Sequence, residues 1–209
     1  MFRFLAAVTS LALLGGGPLL AQSTNTASDN PLAGLKLDDS DGSTSAASTP
    51  FLAKFDDHLV VLNGDHTKPA DPATLKGVQF VAFYYSASWC PPCRAFTPKL
   101  VEFYNAFKSS HPNFELIFVD DDSDADAMLG YMVMDKMPWP AVRFDDISSS
   151  RVQAKKYMGP GIPDLVLVDA NGKVLADSWV GGNYAGPDSV IDAIKQQVPQ
   201  PQATTTAGP

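Results

Sequence analysis

The sequence predicts an α/β sandwich with a mixed central β-sheet flanked by helices, and three observations carry that prediction. Two continuous apolar runs, residues 78–85 and 114–120, read as central strands covered on both faces. Asn171-Gly172 sits between the apolar runs 164–169 and 173–177, which is the strongest short-range hairpin signal. Helical periodicities alternate with these strands, and that alternation favours a sheet layered with helices.

Taken in order, residues 58–62 form a short strand ended by Asn63-Gly64-Asp65, and 78–85 follow as the first central strand. Residues 94–109 read as a helix, because Phe96, Leu100, Phe103 and Phe107 recur at i, i+4, i+7 and i+11. Pro98 lies inside that stripe and is expected to kink the helix without ending it. After the strand 114–120, residues 123–136 read as a helix with aspartates crowding its first turn, where the helix dipole favours negative charge. The hairpin 164–177 precedes a closing amphipathic helix, 187–198, which sets Val190, Ile191, Ile194 and Val198 on one face.

Composition divides the chain into four segments. Residues 1–21 have the anatomy of a secretory signal peptide: a positive start at Arg3, an apolar run to Leu14, and the small residue Ala21 before Gln22. An uncleaved membrane anchor is the competing reading. Residues 22–50, rich in Ser, Thr, Asp and Gly, read as a disordered linker, and 199–209 as a disordered tail. One domain is left, 51–198, of ordinary size. The formal charge of −8 and the absence of any basic patch argue against nucleic acid as a partner.

The only two cysteines are Cys90 and Cys93, in Trp89-Cys90-Pro91-Pro92-Cys93, between a predicted strand and a predicted helix. That is the layout of a redox-active dithiol. The helix start favours the thiolate of Cys90, the expected nucleophile, and Cys93 lies one turn on, placed to resolve a mixed disulfide. A structural staple is the bland alternative, but a disulfide closing so short a loop constrains the unfolded chain little. Pro91 and Pro92 stiffen the turn and cost the helix nothing at its first positions. With both cysteines in one site, no intermolecular disulfide is expected, and the chain reads as a monomer. His58, His66 and His111 are scattered outside any ligand spacing, so neither a zinc site nor a cysteine–histidine hydrolase is expected. Asp120, Asp122, Asp124 and Asp126 alternate like calcium ligands. Ala125 and Tyr131, however, stand where that loop needs glycine and glutamate, so a solvated turn is expected instead.

The run 84–100, the Met137-Pro138-Trp139 segment, the Gly161-Ile162-Pro163 loop and the terminal hairpin together resemble thioredoxin-fold proteins of the tryparedoxin and nucleoredoxin branch. The resemblance spans roughly residues 55–198. It implies a thioredoxin fold with no bound cofactor, a cis Ile162–Pro163 peptide facing the dithiol, and pairing of the Ile162 backbone with substrate. It also implies that Trp89 and Trp139 flank the sulfurs. Two departures stand out. Tyr84 takes the place of the buried Asp that thioredoxins keep six residues before the first cysteine, and the leader contrasts with the cytosolic or nuclear members best known in this branch. The function expected is that of an exported oxidoreductase acting on protein disulfides, fed by a membrane or exported electron donor, reduction being favoured over oxidation. A binding module without turnover and a thiol peroxidase are the alternatives.

Overall fold

The computed structural model describes residues 48–201. The expected leader, nearly all of the expected linker and the tail from residue 202 lie outside the described residues. Seven strands make one sheet: β1 (Leu59–Asn63), β2 (His66–Pro69), β3 (Phe80–Ser86), β4 (Phe114–Asp120), β5 (Ala141–Val142), β6 (Asp164–Asp169) and β7 (Val174–Asp177). Their order is β2-β1-β5-β4-β3-β6-β7. β3 and β4 run parallel, in register from Phe80–Phe114 to Ser86–Asp120, and β6 lies antiparallel on the other side of β3. The sheet is therefore mixed, with the two apolar runs at its centre. A separate hairpin, β8 (Trp179–Val180) and β9 (Asn183–Tyr184), follows β7.

Two short strands of the sheet, β2 and β5, were not anticipated. Asn63-Gly64-Asp65 ends β1 as expected, but the turn, with Gly64 at φ +68°, leads straight into the unforeseen β2, and Asn63 pairs with His66. β2 is largely exposed and ends in Pro69, a residue compatible only with an edge. β5 is two residues long, too short for any periodicity, yet it joins β1 to β4.

The helices are α1 (Pro91–Lys108), α2 (Ala125–Met134) and α3 (Pro187–Gln197). α1 starts three residues before the expected boundary because Pro91 and Pro92 occupy its first positions, where an N–H has no intrahelical partner. It continues through Pro98. α2 is capped by Asp124, whose Oδ1 accepts the Ala127 N–H at 2.9 Å.

Alternation along the strands sorts the core into two layers. Ala82, Tyr84, Leu116, Phe118, Leu165 and Leu167 face one way and pack with buried residues of all three α-helices. Val81, Phe83, Tyr85, Ile117, Val119, Val166 and Val168 face the other, covered by short turns and by Leu52 and Phe55 from the segment ahead of β1. Trp139 belongs to the first layer. It was expected beside the sulfurs, but it is wholly buried, with its ring edge-on to Tyr84 and Tyr104. The Met-Pro-Trp segment leads directly into β5, so its indole points into the core under α1 and leaves the solvent side of the cysteines to Trp89.

Two carboxyls are buried at strand ends. Asp120 is 1% exposed; its Oδ2 accepts the Asp122 N–H at 3.0 Å and its Oδ1 has no partner among the described residues. Burial, reinforced by the neighbouring Asp122 carboxylate, pushes the Asp120 carboxyl up to about 8. Burial likewise raises Asp164 to about 6, although its Oδ2 accepts the Gly159 N–H at 2.7 Å. Asp120 is thus a neutral core acid at moderate pH, not part of a solvated turn.

Two expectations follow. Trp139→Ala should lower the unfolding free energy by about 3–5 kcal/mol in urea titration, whereas Trp89→Ala should change it by less than about 0.5 kcal/mol; equal costs would contradict the placement of the two rings. For pH, a carboxyl whose folded value is raised binds more protons folded than unfolded, so its contribution to stability falls as pH rises from the ordinary 3.8 through about 8. Asp120→Asn keeps an oxygen for the Asp122 N–H. It should match the parent near pH 4 and exceed it in stability near pH 9, and an identical difference at both pH values would overturn this.

Candidate active site

The site is assembled where β3 and β4 end side by side. The Asp121 N–H donates to the Ser86 carbonyl at 2.9 Å, which carries the strand pairing one step past the sheet. The chain then turns through residues 87–90, closed by the Cys90 N–H on the Ala87 carbonyl at 3.2 Å. Asp122 braces this turn from β4's side: its carboxylate accepts the Ser88 N–H at 3.0 Å and the Ser88 hydroxyl at 2.7 Å. A carboxylate with calcium-like spacing therefore serves as a structural acceptor. Among the described residues, no three His, Cys, Asp or Glu side chains cluster as a metal would require. Trp89 projects from the turn, 61% exposed, with its indole N–H on the Asp121 carbonyl at 3.2 Å.

Cys90 is the N-cap of α1, in extended conformation (φ −90°, ψ 107°). An N-cap side chain accepts from the first free amides of the helix. Pro91 and Pro92 have none, so the first such donor is the Cys93 N–H, which points at Cys90 Sγ at 3.2 Å. The two sulfurs are joined in a disulfide, with Cα atoms 5.2 Å apart. Cys93 is wholly buried, and Cys90 keeps 3% of its surface exposed. Only Cys90 meets the outside.

Behind Cys93 lies a chain of hydroxyls. Thr97 Oγ1 donates to the Cys93 carbonyl at 2.9 Å, which uses its only proton. It must therefore accept from the hydroxyls of Tyr84, at 2.8 Å, and Tyr131, at 2.5 Å. The Ser86 hydroxyl in turn donates to Tyr131 Oη at 2.8 Å. Burial raises the pKa of both tyrosines, so these groups stay neutral. Tyr84, the departure from the carboxylate of thioredoxins, belongs to a hydrogen-bonded and uncharged arrangement.

The loop before β6 faces the dithiol. The Ile162–Pro163 peptide is cis, and the Ile162 carbonyl lies 3.8 Å from Cys90 Sγ. A groove of about 370 Å³ opens there, walled by Trp89, Pro91 and Pro92 on one side and by Met158, Pro160 and Ile162 on the other. Pro163 is buried under this loop and borders a second depression shared with Pro92, Lys99, Tyr184 and Asp188. Of the residues expected at the site, Trp89, Cys90, Pro91, Pro92, Cys93, Ile162 and Pro163 are brought together, and Trp139 is not.

Several residues that shape the site escaped the sequence reading. Asp122 was weighed as a calcium ligand and read as part of a solvated turn, not as a brace for the cysteine turn. Met158 sits in an irregular segment with no periodicity. Trp179 and Tyr184 did have a signal: Gly181-Gly182 between Trp179-Val180 and Asn183-Tyr184 is a hairpin turn, and both glycines take positive φ (+58° and +83°).

A profile of the family described as thioredoxin-like matches residues 77–174. Tryparedoxin from Trypanosoma brucei brucei is 40% identical over 91 residues, which are 44% of this chain and 61% of that protein. Probable nucleoredoxin 1 of Arabidopsis thaliana is 43% identical over 101 residues, 48% of this chain but only 17% of the relative. The chain thus spans a minor part of the plant protein's length. Among solved structures, native tryparedoxin I from Crithidia fasciculata aligns at 37% identity and a TM-score of 0.52, covering 73% of this chain and 99% of that one. On this sheet, this Cys-Pro-Pro-Cys helix cap and these relatives, the chain has the thioredoxin fold and belongs to the thioredoxin-like oxidoreductase family, in its tryparedoxin and nucleoredoxin branch.

Proposed function

We propose that this chain is an exported thiol–disulfide oxidoreductase that reduces disulfides in polypeptides through Cys90 and Cys93. The observation that carries the reading is the division of labour between the sulfurs. Cys90 stands at the groove mouth with an amide donor aimed at it, and Cys93 is sealed behind it. In the reduced state the Cys90 thiolate attacks one sulfur of the substrate disulfide, forms a mixed disulfide and expels the first substrate thiolate. The Cys93 thiolate then attacks Cys90 Sγ, restores the Cys90–Cys93 disulfide and expels the second substrate thiolate. Two electrons pass from the dithiol to the substrate, and each expelled thiolate takes up a proton.

The substrate's backbone is expected along Ile162, whose N–H has no partner among the described residues, with Trp89 and the two prolines supplying apolar walls. An electron donor of dithiol type, exported or in the membrane, must regenerate the reduced state. Export rests on the leader at 1–21, and among the described residues no helix is long and apolar enough to cross a membrane. A single protein molecule is the proposed working unit.

The test is insulin reduction with a small thiol as donor, which a binding module would not sustain. With insulin, Cys93→Ser should accumulate a mixed disulfide visible by mass spectrometry, and Cys90→Ser should form none; the reverse pattern would exchange their roles. The reduction potential of the pair, measured in a dithiothreitol or glutathione buffer, is expected near −270 mV. A value near −120 mV would reverse the direction to oxidation, and a disulfide that no such buffer opens would leave a structural staple.

A further inference from the structure

The hairpin β8–β9 makes contacts with the cis-proline loop that its own folding does not require. The Trp179 indole N–H donates to the Gly161 carbonyl at 3.1 Å, and the Tyr184 hydroxyl donates to the Pro163 carbonyl at 2.8 Å. The two rings lie 4.8 Å apart, so they act as one block. Trp179 also lies so close to Gly159 that a Cβ there would stand 2.2 Å from its Cδ1, which leaves glycine as the residue that fits. The block is anchored to the sheet. Ser178 Oγ accepts the Leu165 N–H at 2.9 Å and donates to the Leu165 carbonyl at 3.0 Å, and the Ser178 carbonyl accepts from Ala185 and Gly186.

The effect falls on Ile162. The carbonyls on both sides of it are occupied, one by tryptophan and one by tyrosine. Its own N–H has no partner among the described residues, and its carbonyl has only Cys90 Sγ within reach, at 3.8 Å. One residue's worth of strand edge is thus held out beside the nucleophile. Tyr184, 47% exposed, also walls the depression beyond Pro163, where a polypeptide running past Ile162 would continue.

We propose that the β8–β9 hairpin sets the substrate-pairing edge, with Trp179 and Tyr184 as positioning residues for polypeptide disulfides. This rests on the function proposed above. A chain with a backbone to pair needs the Ile162 edge correctly presented, whereas a small disulfide that only touches Cys90 does not. The hairpin therefore biases the enzyme toward extended polypeptides through KM and leaves the dithiol's own chemistry unchanged.

The test compares Trp179→Phe and Tyr184→Phe with the parent on insulin and on hydroxyethyl disulfide, together with the Cys90–Cys93 potential. Each variant removes one hydrogen bond and keeps an aromatic ring. The KM for insulin should rise about threefold to tenfold, with kcat, hydroxyethyl disulfide turnover and the potential unchanged. An unchanged KM, an equal loss on both substrates, or a shifted potential would overturn the proposal. If Trp179→Phe fails to fold, Tyr184→Phe decides alone, since it loses only a hydroxyl at the protein surface. A parent that does not reduce insulin at all would sink the proposed function and this inference together, whereas an active parent with unaffected variants would sink the inference only.

Discussion

One hydrogen bond organises the chemistry of this molecule, the Cys93 N–H on Cys90 Sγ. It exists because two consecutive prolines leave the third residue of α1 as the first to offer an amide, and because the turn after β3 delivers Cys90 in extended conformation at the cap. Both conditions depend on the parallel pairing of β3 with β4, which ends at Ser86 and Asp120 and fixes where the chain must leave the sheet. Asp122, two residues beyond that end, grips Ser88 and holds the exit path. Sheet register, turn, cap and sulfur geometry are consequences of one another, in that order.

The sheet's centre was legible because strands buried on both faces carry continuous apolar runs, and α1 and α3 because their apolar stripes repeat with helical period. The dithiol was legible because its two residues are the chain's only cysteines and sit between those two patterns. What escaped was short or double in meaning. β5 has two residues and no period, and β2 is an exposed edge that buries almost nothing. Trp139 was assigned to the site by resemblance, but a large aromatic fills a core as readily as it walls a groove, and its sequence neighbours do not distinguish the two. Asp120 and Asp122 shared a spacing with their neighbours and received one joint reading, yet one is buried and neutral and the other bonds an amide and a hydroxyl. Such differences arise from which strand end lies beside which turn, information held by the fold and not by the local sequence.

The asymmetry of the two layers adds to this picture. Among the described residues α1, α2 and α3 all cover one face of the sheet, so the other relies on short turns and on residues ahead of β1. Phe51 packs edge-on to Phe83 and Tyr157, the Thr49 hydroxyl bonds the Ala170 carbonyl, and Leu52 and Phe55 are buried. The folded unit therefore begins before its first strand.

The hydroxyls behind Cys93 bear on where charge can travel. Each has one proton already committed to a neighbour, and the two tyrosines, raised by burial, give theirs up only at strongly alkaline pH. The hydroxyls beside the Cys93 carbonyl are thus a neutral, fully paired network that offers no base. The front of Cys93 is closed by Cys90. On the function proposed above, protons and electrons exchanged by the pair would share the mouth at Cys90, the sulfur that keeps any exposure, so a molecule seated there would govern both.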